Sequence, residues 1–167
     1  MRHVQSFAPI ETADARILIL GSMPGEASLR AGQYYAHPRN LFWRIMGELL
    51  GTDPGSPYEQ RIQALKSARI ALWDVLYSCR RKGSLDSNID HESLVPNDFA
   101  AFFLSHPQIT RVFFNGTKAE QCYRKHMQPV TGIESIEYLR LPSTSPANAS
   151  LSYERKLDAW RAITTCA

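Results

Sequence analysis

Four short stretches carry side chains that could do chemistry. Residues 21–43 read GSMPGEASLRAGQYYAHPRNLFW, residues 72–76 LWDVL, residues 114–119 FNGTKA and residues 141–148 LPSTSPAN. In the first, Gly21, Pro24 and Gly25 let backbone lie close to a ligand. Tyr34 and Tyr35 offer flat π faces, and Asn40 offers both a donor and an acceptor. The last stretch is stiffened by Pro142 and Pro146 and carries small polar groups. A stiff loop tip can enter a groove, and proline is among the residues that wedge between base steps. Together these residues suit a pocket that stacks a flat heterocycle and holds it by a few hydrogen bonds.

The elements that would position them follow from hydrophobic periodicity. Residues 16–20 (RILIL) form a short apolar run closed by Gly21, which predicts a buried strand. Residues 38–50 repeat apolar side chains at three- and four-residue spacing behind Pro38 and predict a helix, with Phe42 and Trp43 in the core. Residues 51–57 are a turn-rich break and 58–67 a second helix. An apolar strand follows at 70–76. Residues 78–90 are polar, contain Arg80-Arg81-Lys82 and read as a loop. Residues 96–105 predict a helix and 110–114 a strand. Thr117 is then expected to cap a helix running to about His126. A strand at 136–141 and a closing helix at 152–164 complete the chain. This alternation predicts an α/β fold, a single domain over 1–167 whose mostly parallel sheet is covered on both faces. Ligands in such sheets sit outside the carboxyl ends of the strands. The four chemistry-bearing stretches all leave such ends.

Composition narrows the classes. The chain has 167 residues and a formal net charge of +3, from 19 Lys+Arg against 16 Asp+Glu. This balance permits a nucleic-acid partner without requiring one. No apolar run approaches the roughly 20 residues that cross a bilayer, and residues 1–10 lack a signal pattern. The expectation is a soluble cytoplasmic monomer. Cys79, Cys122 and Cys166 are far apart and form no CxxC pair, which speaks against a disulfide framework or an iron–sulfur cluster. The histidine spacing shows no zinc motif, so no metal and no cofactor are expected. P-loop, dinucleotide-binding and nucleophile-elbow motifs are absent. Ser143, Thr144 and Ser145 could look like nucleophiles, but no motif supplies their base.

The paired motifs GSMPG…YYAHPRNLFW and LPSTSPAN resemble the uracil-DNA glycosylase superfamily, and within it the hypoxanthine-DNA (DNA-deoxyinosine) glycosylase branch. The resemblance covers nearly the whole chain, including LWDVL and FNGTKA. It implies a three-layer α/β/α sandwich with a central four-stranded parallel sheet. It also implies a monofunctional DNA glycosylase of base-excision repair that needs no metal or cofactor. The substrate would be double-stranded DNA containing a deaminated base, either hypoxanthine or, as further cases, uracil or xanthine. The protein would be nucleoid-associated when bound to DNA. The flipped base would be cut from its sugar by hydrolysis, without strand cleavage.

The resemblance also implies site residues. Asn40, Ser22 and Ser143 become the catalytic candidates: Asn40 to position water or stabilise positive charge on the sugar, backbone around Ser22 to hold the water, and Ser143 to stabilise the leaving base. Tyr35 would stack on the base, with Met23 beside it, and Asp74 would read the base edge. Met23 stands where many relatives carry Asp or Asn, and Leu141 where uracil-specific relatives carry His. Thr144, Ser145, Pro146, Ala147 and Asn148 would enter the DNA at the lesion. Arg80, Arg81, Lys82 and Lys118 would contact phosphates. Two other classes remain open on the residues alone: a lesion-binding protein that does not cut, and a hydrolase of free nucleosides or nucleotides on the same fold.

Overall fold

A computed structural model describes residues 1–127 and 135–165, so Cys166 lies outside the described residues. The central sheet is built from four parallel strands: β2 (Ile17–Gly21), β3 (Ile70–Asp74), β6 (Arg111–Asn115) and β7 (Glu137–Leu141). Their spatial order is β3-β2-β6-β7. Alternate side chains leave opposite faces of each strand. Leu18, Leu20, Val112 and Phe114 pack on one side, under α4 (Phe99–Ser105) and α5 (Thr117–His126). Ile19, Leu72 and Phe113 pack on the other, under α2 (Phe42–Leu50), α3 (Tyr58–Ser67) and α6 (Tyr153–Trp160). The result is the three-layer α/β/α sandwich with a four-stranded parallel sheet.

Strand register sets the positions of the chemistry. Gly21 lies opposite Asp74, and Asn115 opposite Leu141. The chain leaves β2 for one neighbour, β3, and later returns to pair β6 on its other side. A crevice opens at such a switch of direction, at the carboxyl ends of the strands.

Several expectations need correction. The apolar run 70–76 is not one strand. After Asp74 the backbone turns out of the sheet, with Val75 N donating to Gly21 O at 2.8 Å and Leu76 N to Ser22 O at 3.1 Å. Residues 78–90 are not a loop throughout. A second, antiparallel sheet forms from β1 (Arg2–Gln5), β4 (Leu76–Arg81) and β5 (Ile89–Pro96), in the order β1-β4-β5. The inward positions of β4 include Ser78 and Arg81. A strand that buries polar residues shows no hydrophobic alternation, so its period was hidden. A short helix, α1 (Glu26–Ala31), also breaks the stretch 21–43. The helix expected from Pro38 starts at Phe42. Thr117 is the first residue of α5, and Gly116 takes the cap position, at φ +93°.

Candidate active site

The carboxyl ends of the parallel strands open into a cavity of about 530 Å³. Its wall brings together the stretch 21–25, Tyr35, Asn40, Asp74, Asn115 and residues 143–147. Segments far apart in sequence therefore meet at one place.

The floor is Gly21. A Cβ at this position would stand 2.5 Å from Asp74 Oδ1 and 2.8 Å from the Tyr35 hydroxyl. Two polar groups thus converge on a Cα that must carry no side chain. Asp74 is only 3% exposed, and among the described residues its Oδ2 has no hydrogen-bond partner. Burial, reinforced by the negative charge of Asp86, raises its pKa to about 7 against the opposing pull of Arg81. Among the described residues the Tyr35 hydroxyl is likewise buried without a partner at hydrogen-bond geometry, with the Asn115 side chain nearby. Desolvation and the Asp74 charge hold it neutral, well above the usual phenol range.

Tyr35 is held in an unusual conformation. Its φ is +53°, in the left-handed region that non-glycine residues seldom occupy. Its ring stacks on Phe42 at 4.2 Å between centroids. Strain of this kind persists only where surrounding packing over-determines it, and it clusters at functional sites. Tyr34 by contrast is buried, donating through its hydroxyl to Ala8 O at 2.8 Å. Phe42 and Trp43 are core residues, as their spacing predicts.

Asn40 sits at the start of α2 and lines the cavity. Its Oδ1 accepts from Phe42 N at 3.0 Å, which closes the turn into the helix. The carbonyl end therefore has a structural duty, and among the described residues the amide nitrogen has no protein acceptor. Ser22 is buried, and its Oγ donates to Asp86 Oδ1 at 2.8 Å. Met23 is buried and lines the same wall. Ser143 lines the cavity as well, its Oγ accepting from Ser145 N at 3.2 Å.

The loop after β7 divides into a buried part and an open part. Thr144, expected among the DNA-contacting residues, is 1% exposed and acts as a lock. Its N donates to Asn115 Oδ1 at 2.9 Å, its Oγ1 accepts from Asn115 Nδ2 at 3.0 Å, and its O accepts from Leu41 N at 3.0 Å. Ser145, Pro146 and Ala147 remain along the cavity wall. Asn148 spends its groups inside the loop, donating to Ser143 O at 3.2 Å and accepting from Ser150 Oγ at 2.8 Å.

The basic triplet also divides. Arg81, expected as a phosphate contact, is 1% exposed and donates to Gly83 O and Pro24 O. Arg80 is exposed but paired with Asp90 at 2.8 Å. Lys82 is exposed. Lys118 is half-buried, and its charge favours ionisation of Asp86. The exposed cations on the cavity wall are Arg30 and Arg39, which no motif had singled out. Asp86 and Asn115 were also missed as site residues. Asp86 lay in a stretch without readable periodicity, and Asn115 stood in a motif with no chemistry of its own. Among the described residues no group of three His, Cys, Asp or Glu side chains could hold a metal ion, and no helix is long and apolar enough to cross a membrane.

A stacked aromatic wall beside a carboxyl-bearing floor, at a switch point of an α/β sheet, suits a planar heterocycle presented singly. That is how enzymes acting on a base of DNA meet their target. Comparison with known proteins points the same way. Residues 9–164 match the Uracil DNA glycosylase superfamily. A hypoxanthine DNA glycosylase from Methanosarcina barkeri (strain Fusaro / DSM 804) is 38% identical over 153 residues, covering 91% of this chain and 92% of the relative. A second hypoxanthine DNA glycosylase, from Methanosarcina acetivorans, is 36% identical over 160 residues, covering 95% of this chain and 96% of the relative. A solution NMR structure of a candidate uracil DNA glycosylase from Methanosarcina acetivorans superposes with a TM-score of 0.77 at 34% identity, covering 98% of this chain and 100% of that one. The chain belongs to the uracil DNA glycosylase superfamily, and its activity is that of a DNA glycosylase.

Proposed function

We propose that the protein removes hypoxanthine from deoxyinosine in double-stranded DNA, by hydrolysis and without strand cleavage. The observation that carries this reading is the cavity itself: Tyr35 backed by Phe42, with Asp74 and Asn40 on the same wall. The names of the two relatives, similar over nearly their whole length, support the choice of base.

In this reading the base leaves the duplex and lies against Tyr35. Extrusion costs a few kcal/mol, least at a mismatched pair. Asp74 faces the base edge, and the residues 145–147 fill the gap left in the duplex. The free amide of Asn40 donates a hydrogen bond to the attacking water or to a sugar oxygen, holding the reacting groups in line. Asn40 cannot accept a proton as a base, so it positions and does not activate. Arg30, Arg39 and Lys82 supply the phosphate contacts. The protein acts as a monomer.

The test uses end-labelled duplexes carrying one inosine, xanthine or uracil, with alkali to break abasic sites. Wild type is expected to release hypoxanthine and to leave strands intact until alkali is added. Asn40→Ala loses both the amide and the helix-start hydrogen bond. Asn40→Asp keeps the acceptor for Phe42 N but not the amide donors. Both variants are expected to lower the single-turnover rate by roughly 100-fold or more, while only Asn40→Ala loses about 1 kcal/mol of stability. Full activity in Asn40→Asp would move the chemistry away from the Asn40 amide.

A further inference from the structure

The hairpin joining β4 to β5 is fastened to the cavity wall at three points. Arg81 donates to Pro24 O, Glu26 N donates to Ser84 Oγ at 2.8 Å, and Ser22 Oγ donates to Asp86 Oδ1 at 2.8 Å. Three tethers along residues 22–26 hold one short turn, and the turn delivers one carboxyl group to the cavity. Asp86 heads a single 3₁₀ turn and is part of the cavity wall. Its Oδ1 is fixed by Ser22, and among the described residues Oδ2 has no protein partner.

The cavity wall carries three carboxyl groups. Glu26 lies exposed, and Asp74 is buried at the floor with its proton favoured. Asp86 is different. Burial, the largest effect, raises its pKa above the ordinary carboxyl value, while the Ser22 hydroxyl and the cations Arg81 on β4 and Lys118 on α5 pull the other way. Asp74, Tyr35, Cys79 and Cys122 are the other titratable groups that feel its charge. Among the described residues Asp86 is the one of the three whose carboxyl is fixed by a side-chain hydrogen bond.

We propose that Asp86 is a catalytic residue, the general base that orients and deprotonates the attacking water. The inference rests on the glycosylase reading above. In the step, the water oxygen bonds to C1′ of the sugar. The bond from C1′ to the base nitrogen breaks, and its electron pair leaves with the base. One water proton passes to Asp86 Oδ2 and then to solvent, and the departing base takes its proton from solvent. Asn40 and Asp86 thus have separate tasks: the amide aligns the reactants, and the carboxylate accepts the proton.

The test is single-turnover excision from an inosine duplex across pH 4.5 to 9, for wild type, Asp86→Asn and Asp74→Asn, with uracil and xanthine duplexes alongside. Asp86→Asn keeps the acceptor for Ser22 Oγ, so its fold should survive, and binding of the inosine duplex reports an intact cavity. The wild-type rate is expected to rise with pH as Asp86 ionises and then to level off. Asp86→Asn is expected to bind the duplex normally, to cut roughly 100-fold or more slowly, and to lose the rising limb. Asp74→Asn is expected to keep the limb near its wild-type position, because Asp74 still holds its proton while Asp86 ionises. An Asp86→Asn rate within threefold of wild type, or a limb lost in Asp74→Asn and kept in Asp86→Asn, overturns the assignment and leaves the glycosylase reading standing. Wild type that cuts none of the duplexes overturns both.

Discussion

Asp74 is the residue whose protonation bears most directly on stability. Its pKa in the folded protein is about 7, against an ordinary value of 3.8. The sign is the reverse of a salt-bridged aspartate. Between these values the folded state holds a proton that the unfolded chain has released, so stability falls as pH rises through the window. The penalty is absent below about pH 4 and constant above about pH 7, where it reaches up to about 4 kcal/mol. Asp74→Asn is therefore expected to raise the thermal midpoint at pH 8 and to change it little at pH 4. An equal gain at both values would locate the effect in packing instead of charge. Asp74 was legible in sequence because it stands in LWDVL, one of the stretches that carry the family resemblance. Asp86 was not, because nothing in its neighbours announces that Ser22 will reach it. Arg81 was misread for the matching reason: a basic triplet looks solvated until a strand turns its middle residue inward.

At the scale of elements, the decisive contacts join loops to strands. Thr144 ties the end of β6, through Asn115, to the segment that carries Asn40. Thr144→Val keeps the shape and both backbone hydrogen bonds but leaves the Asn115 amide nitrogen unpaired. The expected cost is about 1–2 kcal/mol by urea melting, together with a fall in excision rate, because the Leu41 segment loses part of its anchor. Thr144→Ser restores the hydroxyl and should return both values close to wild type. A loss in the serine variant with none in the valine variant would show that the methyl packing, not the hydroxyl, holds the loop. The parallel strands and the helices on their faces were readable from apolar periodicity. The antiparallel sheet was not, since β4 and β5 bury only part of their length and β4 points Ser78 and Arg81 inward.

The whole molecule carries a net charge of only +3, so affinity for DNA must come from where the cations stand. Arg30 and Arg39 stand on the cavity wall, and Lys82 stands exposed beyond the hairpin strand β4. Binding to an inosine duplex is expected to weaken steeply with salt, as released counterions dictate. Arg39→Ala and Lys82→Ala should each weaken binding evenly across sequences and reduce the logarithmic salt slope by about one. Arg80→Ala should change the slope less, because Asp90 already pairs its charge. A slope unchanged in Arg39→Ala would place the DNA backbone elsewhere on the surface.

The sequence by itself determined the layers, the parallel sheet and the segments that leave its carboxyl ends. Those depend on local periodicity and on turn residues, which act between near neighbours in the chain. It also carried the motifs that mark the family. Only the tertiary structure decided how the site is completed. The convergence of Asp74 and Tyr35 on Gly21, the inward turn of Arg81 and the delivery of Asp86 to Ser22 join residues as many as 64 positions apart. Register and packing across the whole fold set such distances, and the type of a side chain does not reveal which distant partner will meet it.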